Sequence, residues 1–541
     1  MIKNVKLRVR PEVWADAQRL EREVCQQCAI SPRSLMGLRT LHRSIDARQR
    51  QVMIQLDLDL YINEQPPQQL FVPVTYREVP QDAHQAIVVG LGPGGLFAAL
   101  KLIELGIRPI VLERGRNVTD RRRDVALITR QQQVDPESNY CFGEGGAGAF
   151  SDGKLFTRSK KRGNVQSVLE RLCQFGADTG ILDAAHPHIG TDRLPAVIAC
   201  IRDEILRCGG QIHYETIMTD LLLRQGRVVG VRTNRGDEFL GPVILATGHS
   251  ARDVYRMLYR EYVPIEVKGI AMGVRLEHPQ ALIDQIQYHS REGRGQWLPA
   301  AEYSFVTQAE GRGVYSFCMC PGGVVVPSAT GPQQVVVNGM SASARGSRWA
   351  NSAMVVEIRP DDLPELLAAG LEPDLPTCAF LNQMGTADVL QSPLAVMALQ
   401  ESIERQAWLS GGRTQVAPAQ RMVDFVQGHL SDTLPASSYT PGVLASPLHF
   451  WLPSFISSRL RMGFETFGRN AHGFLTNEAT LLAAETRTSS PVRIPRDRNL
   501  LVHPTIAGLY PCGEGAGFAG GIVSAAMDGE RCATALAAQC F

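Results

Sequence analysis

Long hydrophobic runs are missing from this sequence: no stretch of roughly 18 consecutive apolar residues occurs, so no membrane-spanning helix is expected. A dominant charge sign is missing too. The 55 Lys and Arg residues stand against 54 Asp and Glu, so the chain lacks the basic excess of a duplex nucleic-acid binder. Its 12 cysteines are scattered without a disulfide framework, which suits a reducing compartment. The first ten residues lack the continuous apolar core of a signal peptide, and a cytoplasmic location is expected. No internal repeat or low-complexity tract is present.

What is present begins with Ala86-Ile87-Val88-Val89, an apolar run suited to a buried parallel strand. Gly90-Leu91-Gly92-Pro93-Gly94-Gly95 follows with G-x-G-x-x-G spacing, and residues 96–105 continue as an apolar helix. The first glycine allows a tight turn and the second lets backbone approach a pyrophosphate. The third permits close packing of helix on strand, and the helix N-terminus offers free N–H groups to phosphate. A second apolar strand ends at Glu113, where an acid accepts hydrogen bonds from a ribose hydroxyl. Arg114, Arg116, Arg121, Arg122 and Arg123 come next; one of them, Arg114 being the candidate, pairs with phosphate, and the rest form a solvated face.

Two distant segments favour FAD over a nicotinamide dinucleotide as the resident cofactor. Val243-Ile244-Leu245-Ala246-Thr247-Gly248 is a strand ending in Ala-Thr-Gly. Near the C-terminus, residues 508–522 form a strand and glycine-rich turn containing Gly513, Glu514, Gly521 and Ile522, followed by an apolar helix over 523–536. Such a turn sets a carboxylate near a ribityl chain and directs a helix N-terminus at a flavin.

In this order of motifs the chain resembles the glutathione-reductase-type FAD superfamily, in which the late motif usually carries Asp where this chain has Glu514. It more closely resembles a bacterial family of FAD-dependent, or NAD(FAD)-utilising, dehydrogenases with no established substrate. That likeness rests on residues 44–48, Phe142-Gly143-Glu144-Gly145-Gly146-Ala147-Gly148, residues 150–155, 188–192, Phe317-Cys318-Met319-Cys320-Pro321-Gly322-Gly323, residues 486–491 and the late glycine motif. The resemblance implies that Gly145, Gly146 and Ser151 line the FAD. Met218, expected in a strand over 212–218, is a further candidate, contacting the adenine through its backbone.

The expected fold class is α/β. A Rossmann-like FAD-binding part with a doubly wound parallel sheet spans 84–265 and returns at 489–541. A β-rich α+β substrate domain is inserted at 266–488, with strands over 269–276, 313–318 and 334–338. A small α+β module occupies 1–80, with strands over 5–9 and 51–62 and a helix over 11–25.

Bound FAD carries the electrons, so no protein nucleophile is required. The chain holds one fingerprint of this quality and no Cys-x4-Cys pair after it. That argues against a second nicotinamide domain and against a glutathione-reductase-like disulfide reductase, and leaves NADH or NADPH as a transient donor. Candidates for chemistry are Cys318 and Cys320, which strand alternation puts on one face, and His249, titrating near neutral pH. Arg487 could meet an anionic small-molecule substrate. His186 and His188 are further acid–base groups, and the basic run at residues 158–162 is a phosphate- or RNA-contact candidate. Cys25 and Cys28 lack the further ligands of a zinc site, and no metal is expected. The favoured reading is an FAD-dependent oxidoreductase. An RNA-modifying or RNA-associated flavoprotein and a non-catalytic flavoprotein or redox sensor stand as alternatives; the oligomeric state is open.

Overall fold

The computed structural model describes residues 1–157, 163–386 and 388–541; the basic run at 158–162 lies outside them. Gln85–Val89 is the middle strand of a five-stranded sheet. It pairs with Arg108–Leu112 on one side and Val243–Leu245 on the other, and the sheet ends with Gln211–His213 and Leu509–Pro511, all parallel. Apolar residues on both faces of these strands match a sheet covered twice. One face presents Val88, Val111, Ile244 and Tyr510 to the helices Pro93–Glu104, Val165–Gln174, Leu194–Arg207 and Ile522–Cys540. The other presents Ile87, Val89, Ile110 and Leu245 to the helix Arg252–Arg260 and to an antiparallel meander of Met218–Arg224, Arg227–Thr233 and Glu238–Leu240. The second layer is thus largely β, where a doubly wound sheet would carry helices.

Met218 corrects the expected strand over 212–218. That strand stops at His213, Glu215 takes a left-handed turn (φ 52°), and Met218 opens the meander.

A seven-stranded sheet dominates the inserted region, in the order Val306–Ala309, Arg312–Cys320, Trp349–Ile358, Ile270–Pro279, Thr480–Glu485, Ala417–Arg421 and Val443–Ala445. Neighbours are antiparallel except the last pair. The helices Ala395–Ser410 and Ser454–Asn470 bury Val396, Leu399, Ile403, Phe455, Leu460 and Phe464 against it. The strand expected over 334–338 is shifted to Val337–Met340 and pairs with Val324–Pro327.

The N-terminal region is a three-stranded antiparallel sheet with Met53–Ile62 between Ile2–Val9 and Leu35–Asp46. Strict alternation along Met53–Ile62 points Ile54, Leu56, Leu58 and Leu60 at Leu20 and Val24 of the helix Ala17–Cys28. The helix expected over 11–25 is two: Pro11–Trp14 ends early, and Asp16 caps the second by accepting from Gln18 and Arg19 N–H. Among the described residues no helix is long and apolar enough to cross a membrane.

Candidate functional site

At the carboxyl ends of the parallel strands lies a cavity of about 880 Å³, within the range of small-molecule and cofactor sites. Gly90, Gly92 and Gly94 form one wall. Gly90 has φ 98°, a left-handed turn that glycine adopts without strain. Gly95 lies against it: a Cβ there would stand 1.9 Å from the Gly90 carbonyl oxygen. Gly92 differs, since its Cβ would meet only Gly146 Cα at 3.8 Å. The two glycine segments therefore meet backbone to backbone at the N-terminus of Pro93–Glu104, where a Cβ on Gly146 would stand 3.1 Å from Gly92 Cα.

Glu113 lines the cavity, but most of its carboxylate is committed to the protein. Oε2 accepts the Leu91 N–H at 2.8 Å, and Oε1 accepts those of Gly115 and Gly143 at 2.9 and 3.0 Å. Of roughly four acceptor positions on a carboxylate, one remains for a ligand. Arg114 also lines the cavity, stacked on Phe142 at 4.4 Å and ion-paired with Asp253 and Glu137.

The expectation that the other arginines form a solvated face fails at Arg121. This side chain is fully buried and donates to the carbonyls of Asn139, Tyr140, Gly143, Glu144 and Gly146. It is the internal anchor of the glycine-rich segment 143–148. Arg122 and Arg123 are exposed.

Within that segment Gly146 lines the cavity, whereas Gly145 sits behind it against Ile198 and gives its N–H to the Leu91 carbonyl at 2.8 Å. Ser151 lines the cavity and donates its hydroxyl to Gly148 O at 2.8 Å. Met218 lies at the end marked by Thr216 and Ile217. Thr247, Gly248, Gly513, Glu514, Gly521 and Ile522 complete the wall, the last two at the start of the helix Ile522–Cys540.

Glu514 lies with its carboxylate 3.9 Å from His249 Nε2. Burial pushes Glu514 up to about 7, helped by Cys318 and opposed by Lys268. His249 lines the same cavity, but it does not titrate near neutrality as expected. Burial, with Arg487, Arg252 and Lys268 nearby, pushes it down to about 3, so it is a neutral imidazole at pH 7.

Arg487 reaches the cavity wall already paired. It donates to both oxygens of Glu404, at 3.0 and 2.9 Å, and to Thr330 and Gln334. Arg252 holds the same Glu404 from the other side at 2.7 and 2.9 Å. Burial raises the Glu404 carboxyl, but the two guanidiniums outweigh it and hold the group well below the usual carboxylate range. Arg487 is therefore fixed by the protein, where the sequence suggested an arginine open to substrate.

Cys318 lines the cavity and Cys320 is buried behind it. Strand alternation does not explain their placement, because the strand is irregular between Phe317 and Cys320. His186 and His188 lie off the cavity: His186 pairs with Glu302, and His188 Nε2 contacts Ser343 O at 3.2 Å. Cys512, Asp528 and Cys532 cluster as metal ligands do, but a guanidinium already lies against this group. Arg496 bonds both Asp528 oxygens at 2.9 and 2.6 Å and Cys532 Sγ at 3.3 Å.

Sequence reasoning missed Lys154, Phe305, Tyr315, Asn338, Glu485 and Thr488, which the inserted sheet and its neighbours bring to the cavity. Lys154 and Thr488 fall inside quoted motifs, and Glu485 and Tyr315 lie just before quoted ones; Phe305 and Asn338 have no motif around them.

A Clostridium beijerinckii protein described as uncharacterized is 37% identical over 536 residues, covering 96% of this chain and 95% of that protein. The chain belongs to the same family. Residues 269–488 match the model described as "FAD-dependent protein, C-terminal domain-like", and residues 1–61 match a domain of unknown function. Among solved structures, CtdE in complex with FAD is 12% identical at a TM-score of 0.29, with 83% of this chain and 82% of that chain covered. Thermovibrio ammonificans THI4 is 19% identical at a TM-score of 0.24, with 34% and 65% covered.

Proposed function

We propose that this member of the family is an FAD-dependent oxidoreductase acting on a small organic molecule. One observation carries the reading: three glycine-rich segments far apart in sequence, around residues 90–95, 143–148 and 513–521, line one cavity of about 880 Å³. Backbone without Cβ atoms, at the N-termini of Pro93–Glu104 and Ile522–Cys540, suits a dinucleotide pyrophosphate and a flavin ring.

In this reading Gly92 and Gly94, with Gly146 opposite, hold the pyrophosphate. Glu113 offers its remaining lone pair to the adenosine ribose, and Met218 borders the adenine. Gly513 and Glu514 bound the ribityl chain, while Gly521 and Ile522 approach the flavin together with Ser151, Thr247 and Gly248. Gly90, Gly95 and Gly145 shape the turns behind them, and Arg114 supports the adenosine end. FAD, when bound, supplies two-electron transfer.

The chain's own residues provide the rest. Phe305, Tyr315 and Phe317 give the same cavity an aromatic lining from the inserted region and exclude water from the substrate. Glu514, at about 7, can hold or release a proton at its carboxylate near physiological pH. NADH or NADPH is a transient donor in this scheme. Residues 84–265 and 489–541 act as the FAD-binding part, 266–488 as the substrate domain, and 1–80 as a separate module.

The test is an anaerobic absorbance titration of purified protein with NADH and then NADPH. Bleaching of the flavin band identifies a nicotinamide-driven reductase. A bound flavin that stays oxidised with these donors and with a metabolite panel favours a non-catalytic flavoprotein. Absence of flavin, with no binding of added FAD, overturns the proposal.

A further inference from the structure

The strand Arg312–Cys320 pairs regularly with Trp349–Ile358 from Val314↔Val356 to Phe317↔Ala353, and resumes at Cys320↔Asn351. Three steps on one strand oppose two on the other, so one residue is extra: a β-bulge. Within it Cys318 has φ 48°, a left-handed conformation uncommon for a residue bearing a Cβ. In a regular strand two residues i and i+2 are about 6.6 Å apart, beyond the roughly 3.5–4.5 Å between Cβ atoms that a disulfide needs. The bulge breaks that regular spacing: Cys318 lines the cavity wall, and the Cys320 thiol reaches back to the Cys318 carbonyl at 3.4 Å.

The surroundings are cationic. Arg275, fully buried, donates to the Cys318 carbonyl at 2.8 Å and to Cys320 Sγ at 3.4 Å, and is balanced by Glu485 at 3.4 Å. Lys154 reaches the same wall. The Cys320 thiol hydrogen-bonds to Cys318 and lowers it; burial opposes this, and Lys154 and Arg275 assist. The same bond, with burial, raises Cys320. Cys318 is thus the more acidic thiol and faces the cavity, and Cys320 is the less acidic thiol buried behind it, the asymmetry of an attacking and a resolving cysteine.

We propose that Cys318 and Cys320 form a dithiol–disulfide couple that exchanges two electrons with the flavin, and that a small thiol or disulfide is the class of molecule completing the cycle. This rests on the flavin reading above. In the oxidising direction the Cys320 S–H bond breaks and a Cys318–Cys320 S–S bond forms; two electrons and that proton pass to the oxidised flavin. A small dithiol then restores the couple through a mixed disulfide and leaves as its own cyclic disulfide, and the reduced flavin returns its two electrons and proton as hydride to an oxidised nicotinamide, the transient partner named above.

The experiment is anaerobic dithionite titration of the flavin-loaded protein, with dithiothreitol as the thiol probe. Wild type oxidised beforehand with diamide and desalted is expected to take up roughly twice the dithionite per flavin of Cys318→Ser or Cys320→Ala treated alike. Dithiothreitol should bleach the flavin in wild type and fail to do so in either variant. Because Cys320 is buried and its replacement can disturb folding, peptide mass mapping of unmodified protein provides a second readout. After diamide treatment the peptide holding both cysteines should be lighter by two hydrogens and resist alkylation. A flavin-loaded wild type that takes up only one equivalent overturns the couple and leaves the flavin reading standing. Two alkylatable thiols after diamide also overturn it. Disulfide formation in a chain that binds no flavin overturns both the flavin reading and the transfer.

Discussion

The carboxylate of Glu113 accepts the backbone N–H of Gly143 at 3.0 Å, tying the end of the second parallel strand to a glycine segment thirty residues away. Through its other oxygen it holds Leu91, inside the first glycine loop. One side chain therefore fixes the separation of two walls of the cavity. Glu113→Ala leaves three buried N–H groups unsatisfied, each costing about 1–3 kcal/mol. A clear fall in thermal midpoint is expected together with weaker FAD retention, measured by melting and by flavin-to-protein absorbance ratio. Glu113→Gln keeps an acceptor and should lose less of both.

Two neighbouring glycines should behave differently. A Cβ at Gly95 meets the Gly90 carbonyl oxygen at 1.9 Å, so Gly95→Ala must move backbone and should lower stability and soluble yield. A Cβ at Gly92 meets only Gly146 Cα, at an ordinary contact distance of 3.8 Å, so Gly92→Asp should fold and place an anion where the pyrophosphate belongs. Loss of flavin with an unchanged circular dichroism spectrum is the expected result. Normal flavin content in Gly92→Asp would sink the assignment of this loop.

Glu404 lies between two guanidiniums, Arg252 and Arg487. Removing its charge leaves two buried cations without their partner, and breaking a buried pair costs about 3–5 kcal/mol. Glu404→Gln should show a large drop in urea midpoint. Because Arg487 and His249 line the cavity, flavin absorbance should shift too if any holoprotein is recovered.

The raised carboxyl of Glu514 predicts a pH dependence. Its ordinary value is 4.5 and its folded value about 7. Below the ordinary value both states are protonated, and the favourable term is fully present. As pH rises towards 7 the unfolded chain ionises first, so stability falls by at most about 1.4 kcal/mol per pH unit. Glu485 and Glu261, also near 7 in the fold, act in the same direction. The melting temperature of flavin-free protein should decline from pH 5 to 7.5, and more shallowly in Glu514→Gln. An identical slope in that variant would remove Glu514 from the account.

The fingerprint strand, its glycine turn and the helix behind it were legible in the sequence because each is set by contiguous residues. An apolar run, a left-handed position that only glycine adopts cheaply, and a Pro at the first helical turn leave a local trace. The late glycine motif is legible for the same reason. The strand Leu35–Asp46 was not: it carries two register shifts and no clean alternation, so no period of two appears. The split after Trp14 and the stop at His213 also escaped, because a cap and a single left-handed residue are weaker signals than the periodicity around them.

Side-chain partnerships lay wholly with the tertiary structure. Arg121 reads as one of a run of solvated arginines until segment 139–146 folds over it. Glu404 lies on a helix with no motif, more than eighty residues from Arg487 and about one hundred and fifty from Arg252. The approach of the Cys320 thiol to the Cys318 carbonyl depends on a bulge against the neighbouring strand, and sequence alternation alone does not give it. Backbone requirements are local and leave spacing patterns in the sequence. Charge pairing and re-aimed side chains join distant segments, and only the folded chain brings those together.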